Sequence, residues 1–347
     1  MKTIKVGVIG LGSISSYHTQ HYAEHPQAEL YALCDINEAR AQAAGAKYGV
    51  SRVYTDYLEM LADPALEAVS VCTWNDSHAE LTIAALEAGK HVLVEKPLCK
   101  SVEEAERIEA AVRRTGKLVQ IGYVRRFTSK VRTLRSFVDA GDLGGIYTAK
   151  ASTLRRIGNP GGWFADAERA GGGPLIDLGV HIIDVLWYLM GKPRAASVSG
   201  NVYRKLGNRA NIRNLSYYKA ADFDPSVNTV EDYANALIRF ENGASLYVDV
   251  SFSLHAKQDE TSIRLYGDKG GAEIEPELVI ATERHDTLLN LTPQIDALRG
   301  YGPQIDHFLD CCLNGKETLC PVEDGVEMMK MLCGIYESAR TGRELRL

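Results

Sequence analysis

Two kinds of local pattern predict an α/β chain built from two domains. Up to about residue 122, short apolar runs alternate with helical stretches, and runs too uniform to alternate inside and out belong to a parallel sheet covered on both faces. After Arg126 longer β-type runs follow one another through hairpins, which predicts an α+β domain with a mostly antiparallel sheet. At 347 residues the chain is long enough for each domain, 1–122 and 123–347, to bury its own core.

The first domain's strand-like runs are Ile4 to Ile9, Ala28 to Cys34, Ala68 to Cys72, His91 to Val94 and Lys117 to Ile121. Helical stretches such as Asn37 to Tyr48 and Ser77 to Ala88 lie between them, and Ser101 with Glu104 makes a capping box before the next helix. In the second domain a helix over Ser129 to Ala140 leads into the β-rich part. Its clearest feature is Tyr233 to Phe240, then Glu241-Asn242-Gly243, then Ala244 to Phe252, a hairpin with an Asn-Gly turn. Residues 204–228 are polar, tyrosine-rich and aperiodic, a loop long enough to expect a function for it. Helix returns over Gln304 to Gly315 and Glu323 to Ala339, both grouped with the second domain.

Composition excludes several partners. A net charge of −6 leaves no basic footprint for nucleic acid or an anionic membrane surface. The seven cysteines (34, 72, 99, 311, 312, 320 and 333) form no C-x-x-C pair, so reduced thiols in a cytoplasmic protein are expected, with no disulfide framework and no metal site. The N-terminal IKVGVIGLG reads as a first strand, not a signal peptide, and no run of about 18 apolar residues is present to span a membrane.

The segment KVGVIGLGSISSYH places G-x-G-x-x-S directly after a strand and at the start of a helix. Gly10 permits the tight turn, Gly12 lets the backbone approach a pyrophosphate, and the helix-start N–H groups at Ser13 and Ile14 face the anion. This is a Rossmann dinucleotide-binding pattern, with Ser15 where a third Gly or Ala is usual. The second strand ends in Asp35, whose carboxylate can accept from a ribose diol and would repel a 2′-phosphate, so NAD is favoured over NADP. The plainer reading of Asp35 is a helix cap.

Lys96 lies in V-E-K-P at the end of the fourth long strand, where open parallel sheets bind their ligands. Beside a positively charged nicotinamide its pKa would fall, fitting it for proton exchange; alternatively it is a surface lysine closing a strand. In Gly171-Gly-Gly-Pro-Leu-Ile-Asp-Leu-Gly-Val-His-Ile-Ile-Asp, Asp177 and His181 are four apart and share a helix face. The rest of that helix is apolar nearly all round, so two titratable groups there are costly unless paired or functional. His181 suits general acid/base work and Asp177 can orient it or hold substrate. The alternatives are a satisfied core pair or half of a metal site, and no further Cys/His cluster completes the latter. Asp184 reads as structural.

Taken together, GLGSIS, the Asp35 acid, TWNDSH, EKPL, GYVRRF, GGGPLIDLGVHIID, VEDYANALIRFENGASL and ESARTGREL resemble the glucose–fructose oxidoreductase / inositol dehydrogenase / rhizopine-catabolism (Gfo/Idh/MocA) family over essentially the whole chain. The resemblance implies a Rossmann domain followed by a domain with an open sheet whose exposed face mediates homo-oligomerisation, as a dimer or tetramer. It implies that Lys96, Asp177 and His181 form the catalytic group, and that Thr73, Asn75, His78, Glu95 and Gly122 line the cofactor cleft. Trp74 stands where the family has proline. Arg125, Arg155, Asn159 and Trp163, in or near the matched segments, become candidate substrate contacts. The expected activity is hydride transfer between NAD and a secondary hydroxyl of a sugar or cyclitol. Two alternatives use the same site: a redox-neutral, NAD-recycling glycoside hydrolase, and a non-catalytic sugar or NAD sensor.

Overall fold

The computed structural model describes residues 2–222 and 224–347. It divides into two compact units, 1–124 with 300–329, and 125–299 with 330–347.

The first unit is built on a six-stranded parallel sheet of β1 (Ile4–Ile9), β2 (Ala28–Cys34), β3 (Arg52–Tyr54), β4 (Ala68–Val71), β5 (His91–Val94) and β6 (Val119–Ile121). The strand order is β3-β2-β1-β4-β5-β6, so the order reverses between β1 and β4, the switch point where such sheets hold dinucleotides. The connecting helices are α1 (Ser15–Glu24), α2 (Glu38–Tyr48), α3 (Tyr57–Leu61), α4 (His78–Glu87) and α5 (Val102–Thr115). The uniform apolar strands are buried as expected, with Val6, Val8, Leu33, Ala68 and Leu93 in one core. The capping box before α5 is offset: Ser101 Oγ accepts from the Glu104 N–H, but the Glu104 carboxylate accepts from the N–H of Lys100.

The C-terminal helices depart from the sequence grouping. Residues 300–329, which include α9 (Tyr301–Asn314), belong with the first unit. The reason is packing: Ile305, Phe308 and Leu309 enter the same core as Ile4, Val6 and Tyr22. Helix α10 (Val322–Thr341) starts in one unit's residues and ends in the other's.

The second unit contains α6 (Ser129–Asp139), α7 (Ala167–Ala170), α8 (Val180–Leu189) and nine strands. These are β7 (Ile146–Leu154), β8 (Ala195–Tyr203), β9 (Tyr233–Phe240), β10 (Ser245–Ser251), β11 (Glu260–Gly267), β12 (Gly270–Glu275), β13 (Val279–Arg284), β14 (Thr287–Leu291) and β15 (Leu345–Arg346). Their order is β14-β13-β12-β11-β7-β10-β9-β8-β15, antiparallel throughout except for the parallel pair β7–β10. The β9–β10 hairpin has the predicted turn, with Gly243 at φ +84° and register from Arg239 opposite Ser245 to Tyr233 opposite Ser251. Helix α8 packs on β7, β10 and β11, burying Ala149, Ala151, Val248, Val250, Ile263 and Leu265. The opposite face carries exposed Tyr247, Tyr266 and Lys150.

One helical stretch, Ala167–Leu189, reaches a mean hydropathy of 1.2 over 18 residues. Because 83% of that window is buried within the fold, its apolarity is that of a core helix. All seven cysteines are free thiols, and burial pushes the Cys34 thiol up to about 12, out of the reactive range.

Candidate active site

In the first unit the turn after β1 has the geometry that its glycines require. Gly10 has φ +85°, and a Cβ there would press on Thr73 and the Cys72 carbonyl. A Cβ on Gly12 would meet no protein atom within 4 Å, so that glycine answers to no packing demand of the chain itself. Helix α1 begins without a side-chain cap, leaving the N–H groups beyond exposed Ser13 and half-buried Ile14 as donors for a phosphate. Ser15, at the third glycine position, is buried and donates to the Gly12 carbonyl at 2.7 Å, which shapes the turn. These features fit a dinucleotide pyrophosphate.

Asp35 does not cap α2, as its plainer reading had it. It is 5% exposed at the end of β2, and its two oxygens accept from the Leu11 and Asn37 N–H groups, each at 2.8 Å. It thereby ties the turn to the strand, while the cap of α2 is Asn37, which accepts from the Arg40 N–H. Arg40, half-exposed, places Nη1 3.2 Å from Asp35 Oδ2.

Beyond β4, Thr73 lies against the glycine turn and accepts from the Ser77 hydroxyl at 2.7 Å. Trp74 is 36% exposed in extended conformation, so the loop tolerates the missing proline without burying the indole. Asn75 is buried at the first position of a single 3₁₀ turn. His78 is fully enclosed, with Nδ1 2.8 Å from the Pro97 carbonyl and Nε2 3.2 Å from that of Thr73. Burial holds its pKa below the ordinary histidine value, so its contribution is to join the Thr73 loop to the Lys96–Pro97 segment.

Lys96 is half-buried two residues past β5. Its N–H lies 3.3 Å from Oε2 of Glu95, and Gly122 brings the end of β6 so close that a Cβ would sit 3.1 Å from the Glu95 carboxyl. Glu95 Oε1 is 3.0 Å from Nε2 of His18, a residue of α1 that the sequence reading passed over. The His18 Nδ1 lies 3.1 Å from Ser70 Oγ, which in turn is 2.7 Å from the Tyr22 hydroxyl. One arrangement of protons satisfies this buried chain: Tyr22 donates to Ser70, Ser70 to Nδ1, and Nε2–H to Glu95. Burial pushes the Tyr22 phenol well above its usual value, which keeps it a donor. The chain ends in the core at Tyr22, so it orients Glu95 and offers no proton exit.

In the second unit the helix assumption needs correction. Leu175–Gly179 is a π-helical turn continuing into α8, and such turns are frequent at functional sites. Four residues in a π turn still fall on nearly one face, so Asp177 and His181 remain together. From Gly172 to Leu189 every residue is buried except Asp177, His181 and Tyr188, which form one half-buried stripe. Asp184 is structural: it is 1% exposed and accepts hydrogen bonds from both Nε and Nη2 of Arg126, itself 1% exposed, with Oδ1 2.6 Å from Nη2. Arg126 was another omission of the sequence reading.

The four candidate substrate contacts divide. Trp163, half-buried, stacks on Phe164 at 4.0 Å. Arg125 reaches to 3.8 Å from Glu275. Arg155 folds over its own loop, Nη1 donating to the Gly158 carbonyl at 2.9 Å. Asn159 is 5% exposed, accepting from the Gly161 N–H and donating to Asn228. Of residues 204–228, Phe223 lies outside the described residues; the others form no strand and one 3₁₀ turn. The N–H groups of Lys205, Leu206 and Gly207 converge on Asp232 Oδ2, and Ala220, Asp222 and Arg209 bond the backbone of 156–162. The loop is thus anchored on the segment that carries Asn159 and precedes Trp163. No cluster of three or more His, Cys, Asp or Glu that could hold a metal occurs among the described residues.

Comparison with known proteins settles the family. Residues 4–123 match the model of the oxidoreductase family with NAD-binding Rossmann fold, and residues 131–273 match the Gfo/Idh/MocA C-terminal domain. D-glucoside 3-dehydrogenase of Escherichia coli is 32% identical over 347 residues, covering 99% of this chain and 97% of that protein. The chain belongs to the Gfo/Idh/MocA oxidoreductase family. It is an NAD-dependent oxidoreductase, and NAD is the cofactor that the Gly10–Ile14 turn and Asp35 would hold. A second relative, the NAD⁺-dependent scyllo-inositol 2-dehydrogenase of Bacillus subtilis, is 28% identical and covers 99% of this chain and 96% of its own. Among solved structures, an oxidoreductase domain protein from Kribbella flavida superposes with a TM-score of 0.87 at 26% identity, covering 100% of this chain and 99% of that one.

Proposed function

We propose that this enzyme oxidises a secondary hydroxyl of a cyclic sugar or cyclitol. The observation that carries the reading is the half-buried Asp177–His181 stripe on an otherwise buried helix, in a chain with a full-length glucoside dehydrogenase relative. NAD, when bound, accepts the hydride released from the carbinol carbon. Lys96 takes the single hydroxyl proton in exchange with His181, and Asp177 orients His181 or a neighbouring hydroxyl of the ring. Gly10, Gly12, Ser13, Ile14 and Asp35 hold the dinucleotide, while Thr73, Asn75, His78, Glu95 and Gly122 shape its cleft. Trp163 offers an aromatic platform, and Arg125 a donor, for the sugar ring. Arg155 and Asn159 act on substrate through the 155–161 loop that their own hydrogen bonds shape. The relatives named for glucosides and inositols share a secondary carbinol in a six-membered ring, and that is the substrate class assigned here. The exposed tyrosines of the nine-stranded sheet, among them Tyr247 and Tyr266, support assembly of copies through that face.

The test is a panel of myo-inositol, scyllo-inositol, methyl glucosides and free aldoses with NAD, followed by NADH absorbance. Stoichiometric NADH with a cyclic polyol is expected. Glycoside cleavage without net NADH would replace this reading with the redox-neutral one, and no reaction with any cyclic polyol would remove the substrate class.

A further inference from the structure

We infer that Glu231 and Tyr336 form a positioning pair that sets the place of Asp177; the inference rests on the role of Asp177 proposed above. Glu231 is 1% exposed and lies just before β9. Its Oε2 accepts from the Gly173 N–H at 2.8 Å, and its Oε1 accepts from the Leu175 N–H at 3.2 Å and the Tyr336 hydroxyl at 2.8 Å. Three donors converge, the pattern that suits a carboxylate. Tyr336 stays a donor because burial, and then the charge of Glu231, push its phenol well above the usual range.

The link to Asp177 runs through a single residue beyond the carboxylate. Gly173 donates its N–H to Glu231 and accepts, on its carbonyl, the N–H of Asp177 at 2.9 Å. Fixing Gly173 therefore fixes the start of the π turn from which Asp177 projects. The negative charge also stands at a helix N-terminus, where it is favoured. The same packing accounts for two of the three glycines in the motif. A Cβ on Gly172 would collide with the Tyr336 hydroxyl, and one on Gly173 with the main chain of Glu231. Gly172 and Gly173 thus belong to the clamp.

Glu231→Gln presents an amide N–H₂ to at least one of the three donors, so it loses the clamp while keeping shape. In the full-length enzyme, assayed with NAD on methyl glucoside and myo-inositol, kcat should fall about 10- to 100-fold with KM little changed, as expected for sub-ångström misplacement of a reacting group. Tyr336→Phe, which keeps the carboxylate and two of its donors, should lose less and remain folded. Deuterium exchange of the peptide covering residues 171–178 should rise in both variants, whichever substrate proves best. The decisive comparison is the double variant Glu231→Gln/Asp177→Asn: if Glu231 acts through Asp177, it is no slower than Asp177→Asn alone. Losses that multiply, or unchanged turnover and exchange in Glu231→Gln, would overturn the inference while leaving the site reading intact. Near-normal turnover in Asp177→Asn would instead remove the site reading, and this inference with it.

Discussion

Replacing Asp35 by Asn tests the cofactor half of the site most sharply, because on the proposed reading this carboxylate has three separable tasks. It would accept from the adenosine ribose and repel a 2′-phosphate, and it occupies the Arg40 guanidinium. For a 2′-phosphate about 5–6 Å away at an effective dielectric of about 20–40, each unit charge pair costs roughly 1.5–3 kcal/mol. That corresponds to about 10- to 100-fold in NADP affinity. Removing the charge returns that factor, and Arg40, freed from Asp35, adds an attractive partner for the phosphate. Loss of the charged acceptor weakens NAD by about 1 kcal/mol, or roughly fivefold. The NAD-to-NADP preference should therefore fall by about 100-fold or more.

Asn is chosen over Ser because it retains an acceptor for the Leu11 or Asn37 N–H, both at 2.8 Å. It faces the other with an amide, at a stability cost of about 1–2 kcal/mol. Ser abandons both bonds and should unfold earlier for the same change in preference. The assay is a fluorescence titration of NADH and NADPH against wild type, Asp35→Asn and Asp35→Asn/Arg40→Ala. The second substitution should take back part of the NADPH gain. A wild type that prefers NADP, or an Asp35→Asn variant with an unchanged ratio, would refute the reasoning.

Lys96→Ala should lose about 10²–10⁴ in kcat while NAD affinity, measured separately, stays near wild type; near-normal turnover would end the proposed chemistry. Asp184→Ala should destabilise the protein by about 3–5 kcal/mol in denaturant titration, because it strands the buried Arg126 guanidinium; a change below about 1 kcal/mol would contradict the buried pair. Asp232→Ala frees the N–H groups of Lys205, Leu206 and Gly207, so limited proteolysis should cut within 204–228 sooner than in wild type; equal cleavage rates would show that the loop is held elsewhere.

What could be read from the sequence followed the strength of local patterns. The strands β1, β2 and β5 stood out because apolar residues dominate them, Lys5, Glu29 and His91 being the departures. Strand β3 did not, since Arg52–Tyr54 offers three residues of intermediate or exposed character. The Asn-Gly hairpin was legible because a two-strand register and its turn are local properties. The ownership of α9 was not: its apolar face says that it packs, and nothing about which sheet it packs on. The π turn leaves no trace in a pattern of apolar residues, because residues four apart stay within about 40° of one face in a π turn as in an α turn. His18 sits in the polar stretch Ser15–Glu24, where no periodicity announces a buried ring. Glu231 had one available signal, an acid at the threshold of an apolar strand.

The buried charges themselves separate structural from chemical residues. Asp184 has Arg126, Glu95 has His18, Glu231 has two amides and a phenol, and Asp232 has three amides. Each sits where solvent does not reach, and each has enough partners to offset its desolvation, so its presence needs no further cause. Asp177 and His181 differ in position: they occupy the half-buried stripe of a helix whose remaining faces are core. A fold that only needed to fill that stripe could use Leu or Met at no cost in burial. On the function proposed above, keeping an acid and an imidazole there trades stability for chemistry. That makes substitution effects separable along one helix, with Asp184→Ala acting on folding and Asp177→Asn acting on turnover.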